Sequence, residues 1–345
     1  MPRAAPPDAH TEMLERLRNE LRVVVERSLG GGASAVALID FPMHENVGDL
    51  AIWAGELAVL EAIGVPVAYV CDMYGYRRER IERALGPGDP VLLHGGGNFG
   101  DVWQGFQAFR ERVIRDFPDR PIVQLPQTVH YASPGGLERT RAVLAAHGAV
   151  KLLVRDEPSL ETATGELGAV AEACPDAAFA LSAPAVAPPV QPISWILRSD
   201  HERAESAPAA PGGVAPADWP DHWGFRLLRT AGRVHRRSSA RVPPVAAPVE
   251  RGLAAIYAGV ARRRVALGFR MIAAGEVLVT DRLHAHILAC LLSMPSVAVD
   301  NSYGKLSSFI DRWTGASPLV HRADTHAAGL ELAAALAARS GDGVS

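Results

Sequence analysis

Residues 276–305 read EVLVTDRLHAHILACLLSMPSVAVDNSYGK, and the fold class follows from this stretch. Val277, Leu278 and Val279 form a short apolar run of the kind that fills a buried parallel strand. Thr280 and Asp281 then offer helix N-cap chemistry, so the spacing predicts a helix from about Arg282. Leu283, Ile287 and Leu291 repeat at helical spacing, with Leu288 and Leu292 one turn out of line. Pro295 stops the helix before a second strand at Ser296–Val299. In such a strand-helix-strand unit, ligands gather beyond the carboxyl ends of the strands. Arg282 and His284 fall in the first helical turn, where unpaired N–H groups and the positive end of the helix dipole favour an anion. A guanidinium and an imidazole there suit a phosphate or carboxylate. The alternative is a solvated Arg282 beside a hydrogen-bonded helix-start His284. His284 and His286 are not a zinc pair, because residues two apart on a helix point to different sides.

The same unit recurs toward the N-terminus. A strand at 35–40 runs into FPMHENVGDL and a helix at 51–63; Asn46, Gly48 and Asp49 lie at this junction, as helix caps or as ligand-facing groups. Strands follow at Val67–Cys71, 90–94, 122–125 and 151–154, with helices at 77–85, 105–117, 137–147 and 159–165. The strand at 90–94 meets Gly95-Gly96-Gly97-Asn98, read as a glycine turn able to wrap a polar ligand; it is neither GxGxxG nor a P-loop. The strand at 122–125 ends in Pro126-Gln127-Thr128-Val129-His130, and the strand at 151–154 in Arg155-Asp156. Polar residues recurring at one end of successive strands predict an α/β fold with a doubly wound sheet and a crevice along that edge.

An amphipathic helix is expected at 12–29 ahead of a disordered tip at 1–8, a Pro/Ala-rich linker at 182–192, and a strand at 193–198 ending in Arg198. A Pro/Ala-rich insertion at about 202–248 contains a helix at 223–234 and a basic cluster at 233–241, read as a solvated loop. Helices at 250–274, 305–313 and 325–339 and a strand at 318–321 complete the chain. The division expected is 1–185 and 186–345.

The chain has 345 residues, is 48% hydrophobic and carries a net charge of -3, enough for two cores and no argument for a nucleic-acid partner. Cys71, Cys174 and Cys290 are too scattered for a metal motif, and Cys71 and Cys290 sit in apolar elements as buried thiols. No signal peptide and no transmembrane segment is read from the sequence. The expectation is a cytoplasmic protein, with association with the inner face of the membrane and homo-oligomerisation left open. No metal site and no resident cofactor are expected.

Eight segments, in order, resemble the polysaccharide pyruvyl transferase family: Asn46-Val47-Gly48-Asp49, His94-Gly95-Gly96-Gly97-Asn98, Leu125-Pro126-Gln127-Thr128, Arg155-Asp156, Cys174-Pro175-Asp176, Arg198-Ser199-Asp200, Thr280-Asp281-Arg282-Leu283-His284 and Asp300-Asn301-Ser302-Tyr303-Gly304-Lys305. They span about residues 40–313. The resemblance implies two Rossmann-like domains facing a cleft, glycosyltransferase-B-like. It also implies transfer of a pyruvyl unit from phosphoenolpyruvate to a sugar of an exopolysaccharide or cell-wall glycan, on a free or lipid-linked acceptor, giving a cyclic ketal and phosphate. The family's Arg-Leu-His segment contributes donor binding, which falls here on Arg282 and His284.

Phosphoenolpyruvate carries a carboxylate and a phosphate, so Arg198 and Lys305 join Arg282 as expected donor-binding cations. His284 is the expected acid, since histidine titrates near neutral pH, and Asp49 the expected base. Asn46, Asn98, Gln127 and His130 are expected on the acceptor side. Two other readings stay open: a nucleotide-sugar glycosyltransferase of the same shape, marked by hydrolysis of nucleotide sugars without phosphoenolpyruvate, and a non-catalytic polysaccharide-assembly protein, marked by donor binding without turnover.

Overall fold

A computed structural model describes residues 6–198, 215–220, 246–300 and 305–342. They form a mixed α/β fold on two parallel sheets. The first contains β1 (Val36–Ile39), β2 (Val67–Cys71), β3 (Val91–Leu93), β4 (Gly96–Gly100), β5 (Ile122–His130), β6 (Val150–Val154) and β7 (Val170–Ala173). Its order is β2-β1-β3-β5-β6-β7, with β4 paired to β5. The second contains β8 (Gln191–Ile196), β9 (Gly275–Thr280), β10 (Ser296–Val299) and β11 (Val320–Ala323), in the order β11-β10-β9-β8.

The unit read at 276–305 is present as β9, the Leu283–Leu291 helix and β10, with Val279 opposite Val297 in parallel register. Its apolar run has a physical reason. Val277 and Val279 pack with Val297 and Leu330 on one face, and Leu278 packs with Phe269 and Leu288 on the other, so both faces are covered.

Two local expectations change. Thr280 and Asp281 do not cap the helix: Arg282 occupies the N-cap position with extended backbone and makes no side-chain cap. Thr280 Oγ1 instead donates to the Ile196 carbonyl at 2.7 Å and accepts the Arg282 N–H at 3.0 Å, pinning the turn from below. The glycine run after β3 is mostly strand, because β5 extends past β3 and leaves an edge for β4 to pair. Gly100 permits that approach with φ +129°, where an added Cβ would lie 1.7 Å from the His130 carbonyl oxygen. Strand β7 has no counterpart in the sequence reading.

The helices tie the sheets together. In the Asp8–Ser28 helix, His10 bonds Ser317 Oγ at 2.7 Å and the Cys290 carbonyl at 2.9 Å, while Arg18 donates to the Phe179 carbonyl. The Ala246–Ala273 helix crosses the other way: Tyr257 donates to Asp72 at 2.6 Å and Arg264 to the Glu45 carbonyl. Leu17, Val47, Ala51, Phe269 and Leu288 meet in one shared apolar layer. All three cysteines are free and buried. Among the described residues no helix is long and apolar enough to cross a membrane.

Of the 202–248 insertion, only 215–220 and the helix start at 246–248 are described. The helix expected at 223–234 and the basic cluster at 233–241 lie outside the described residues, as do 1–5, 199–200 and 301–304.

Candidate active site

A cavity of about 420 Å³ lies at the carboxyl ends of both sheets. Asn46 and Asp49 reach it from the helix after β1, Asn98 from β4, Thr128 from β5, Arg155 and Asp156 from the end of β6, Arg198 from the end of β8, and Arg282 and His284 from the end of β9. Of the residues singled out from sequence, His284, Asp49, Arg282, Arg198, Asn46 and Asn98 all line it. Gln127 stands behind the wall, fully buried, donating to Asn98 Oδ1 at 2.9 Å. His130 is exposed at the far end of β5 and borders a separate depression of about 20 Å³ with Gly97, Asn98 and Trp103. Lys305 begins the Lys305–Phe309 helix, and its side chain lies outside the described residues.

His284 sits against a carboxylate that the sequence reading left without a role. Its Nε2 is 3.4 Å from Asp176 Oδ2, an ion-pair separation without hydrogen-bond geometry, so Nε2 is buried and has no hydrogen-bond partner. The other face of the ring rests on Gly48, where an added Cβ would fall 2.4 Å from Nδ1. Asp176 is completely buried, accepts Arg155 Nη1 at 2.6 Å and the Ala178 N–H at 2.9 Å, and caps the turn at Ala177–Ala180. Burial opposes its ionisation. His284, Arg155 and the Ala178 N–H outweigh burial and hold the carboxyl well below the ordinary carboxylate range. A lasting negative charge thus stands behind the imidazole.

Arg155 is further fixed by Thr128, whose Oγ1 accepts its Nε at 2.8 Å and donates to Asp156 at 2.7 Å. Its Nη2 lies 3.3 Å from where a Cβ on Gly97 would be, so the glycine leaves the guanidinium uncovered on that side. Arg282 pairs with both carboxylate oxygens of Asp218, at 2.5 and 2.7 Å, and its guanidinium lies 5.9 Å from the Trp219 ring centre. The Arg198 N–H donates to Asp281 Oδ1 at 2.9 Å. Asp49 Oδ2 is 3.6 Å from His44 Nε2. Among the described residues no group of three or more His, Cys, Asp or Glu side chains is arranged to hold a metal ion.

Arg155 and Asp176 were visible in the sequence as motif residues, yet their pairing joins β6, the turn after β7 and the helix after β9. Asp218 and Trp219 lie in the Pro/Ala-rich stretch, where no periodicity marks them.

A family model described as polysaccharide pyruvyl transferase matches residues 46–303. The Bacillus subtilis protein EpsO, assigned to the pyruvyl transferases, is 29% identical over 295 residues, covering 83% of this chain and 87% of that one. Pyruvyl transferase 1 of Schizosaccharomyces pombe is 29% identical over 319 residues, covering 88% of this chain and 76% of that one. In fold the chain is similar to a functionally uncharacterised protein of Klebsiella pneumoniae of known crystal structure: the TM-score is 0.56 at 15% identity, over 90% of this chain and 99% of that one.

Proposed function

The chain belongs to the polysaccharide pyruvyl transferase family, and from that premise we propose that it moves a pyruvyl group from phosphoenolpyruvate to a sugar of an exopolysaccharide or cell-wall glycan. The observation that carries this reading is the convergence of Arg155, Arg282 and His284 on the uncapped start of the Leu283–Leu291 helix. Two guanidiniums, an imidazole and open backbone N–H groups suit a substrate with a carboxylate and a phosphate. Arg198 and Lys305 remain candidate further cations, and Asp49 and Asn46 face the same cavity as candidates for the sugar.

In the reaction, the methylene carbon of phosphoenolpyruvate gains a proton from His284 and a sugar hydroxyl oxygen bonds to the central carbon. The carbon–oxygen bond to phosphate then breaks, and a second hydroxyl of the same sugar takes its place, closing the ketal. Asp49 accepts an attacking hydroxyl's proton. The two hydroxyl protons balance the one gained by carbon and the one leaving with phosphate. Asp176 holds charge behind His284 without touching substrate. Residues 1–185 and 186–345 are then the acceptor and donor halves of a glycosyltransferase-B-like enzyme, with Arg155 and Asp176 reaching toward the donor. No resident cofactor enters this scheme.

Titration calorimetry of phosphoenolpyruvate into wild type and Arg282→Ala tests it. The variant is expected to bind at least about a hundredfold more weakly, as for loss of a largely buried charged contact. Equal affinity in the two proteins would sink the donor assignment.

A further inference from the structure

Arg110, on the Gln104–Asp116 helix, is 3% exposed and does not line the cavity. A guanidinium only donates, so every polar atom it meets must be an acceptor, and its neighbours' amides are oriented accordingly. Its Nε donates to Gln124 Oε1 at 2.7 Å, its Nη1 to Gln107 Oε1 at 2.8 Å and its Nη2 to Asn98 Oδ1 at 2.8 Å. The Gln124 amide nitrogen then serves the Leu93 and His94 carbonyls, and that of Gln107 serves Thr140 and Glu111. Gln127 Nε2 adds a second donor to Asn98 Oδ1 at 2.9 Å. Burial pushes the guanidinium down to about 10, so it stays charged at neutral pH.

Both donors lie behind the wall, and Asn98 is the member of this network that lines the cavity. With its oxygen held by Arg110 and Gln127, the Asn98 amide has only its N–H donors left for a ligand. Arg155 Nη2 borders the adjacent Gly97. We propose that Arg110 is a positioning residue that locks Asn98 as a donor-only group, and that Asn98 together with Arg155 forms a subsite for an anionic oxygen, a carboxylate or phosphate. This rests on the phosphoenolpyruvate reading and moves Asn98 from the sugar to the donor.

The test compares Asn98→Ala with Asn98→Asp by calorimetry. An aspartate keeps acceptors for Arg110 and Gln127, so the network and the fold survive, but it turns a negative charge to the cavity. Phosphoenolpyruvate affinity is expected to fall about tenfold in Asn98→Ala and about a hundredfold in Asn98→Asp, in line with loss of a charge-assisted bond and then added repulsion. Arg110→Met should weaken binding in wild type and have little further effect in the Asn98→Ala background, a non-additivity that general destabilisation would not produce. Equal binding by wild type and both Asn98 variants overturns the proposal and leaves the phosphoenolpyruvate reading intact. If wild type does not bind phosphoenolpyruvate, that reading fails. Inorganic phosphate then decides the subsite: weaker binding to Asn98→Asp than to wild type supports it, and equal or absent binding overturns it.

Discussion

Two strand-to-helix junctions face one another across the cavity, and they start their helices differently. At the first, between β1 and the Val47–Ala62 helix, Asn46 caps with its own side chain, accepting the Gly48 N–H at 2.8 Å. At the second, between β9 and the Leu283–Leu291 helix, no side chain caps the helix, and Arg282 stands at the N-cap position. Equivalent junctions therefore have unequal chemistry: one caps a backbone N–H with its own side chain, the other leaves its first N–H groups without a side-chain cap. Residue types already set the junctions apart, with Asn46 and Asp49 at one and Arg282 and His284 at the other, and the caps add a difference in the backbone itself.

The largest expected effect couples the two. His284→Ala should lower turnover about a thousandfold, within the range for loss of a general acid, with folding intact. Gly48→Ala should reproduce much of that loss from the opposite junction, because the methyl would fall 2.4 Å from His284 Nδ1 and move the ring. Steady-state rates on both variants check this. A Gly48→Ala enzyme of wild-type rate would mean that the first junction has no hold on the His284 ring.

How much of this was legible in sequence differs by element. Val277 to Val279 announced a strand because a doubly covered strand is apolar at every position, and Pro295 announced its helix's end. Asp176 was visible as a residue and invisible as a partner, since nothing local ties a carboxylate after β7 to a histidine after β9. Arg110 looks in sequence like any charged residue of an amphipathic helix; only the fold buries it under Asn98. The glycines after β3 pointed to a turn because their pairing depends on β5 outrunning β3, a property of another segment. The Asp8–Ser28 and Ala246–Ala273 helices cross to the opposite sheet through contacts that no periodicity encodes.

A smaller effect separates the aspartates that lead into the junctions. Asp281 is buried, and its carboxyl accepts the Arg198 N–H. Asp40 is equally buried with φ +77°, and its Oδ1 has no hydrogen-bond partner. Burial pushes the Asp40 carboxyl up to about 6, against the lowering effects of His94 and Arg110. A folded value above the unfolded one near 3.9 means that stability is fully present below about pH 4 and lost as pH rises through about 6. Asp40→Asn removes that loss, and asparagine accepts left-handed backbone well. The variant should match wild type near pH 4 and exceed it at pH 7.5 by on the order of 3 kcal/mol in urea unfolding. A difference independent of pH would break the link to ionisation.

The smallest effect tests the comparison at its root. If Asn46 serves the first junction chiefly as a cap, Asn46→Ala should cost about 1 kcal/mol of stability, the usual value of such a side chain. Phosphoenolpyruvate affinity should stay within about twofold of wild type, because that loss is far below the contribution of a charged contact. Urea unfolding and calorimetry on the same preparation read both quantities. A rise in acceptor KM with donor affinity unchanged would add a sugar contact to the cap, which the position of Asn46 on the cavity wall permits. Donor affinity that fell as far as in Arg282→Ala would mean that both junctions grip the anion. The difference in capping would then give no reason to assign the donor to the second junction rather than the first.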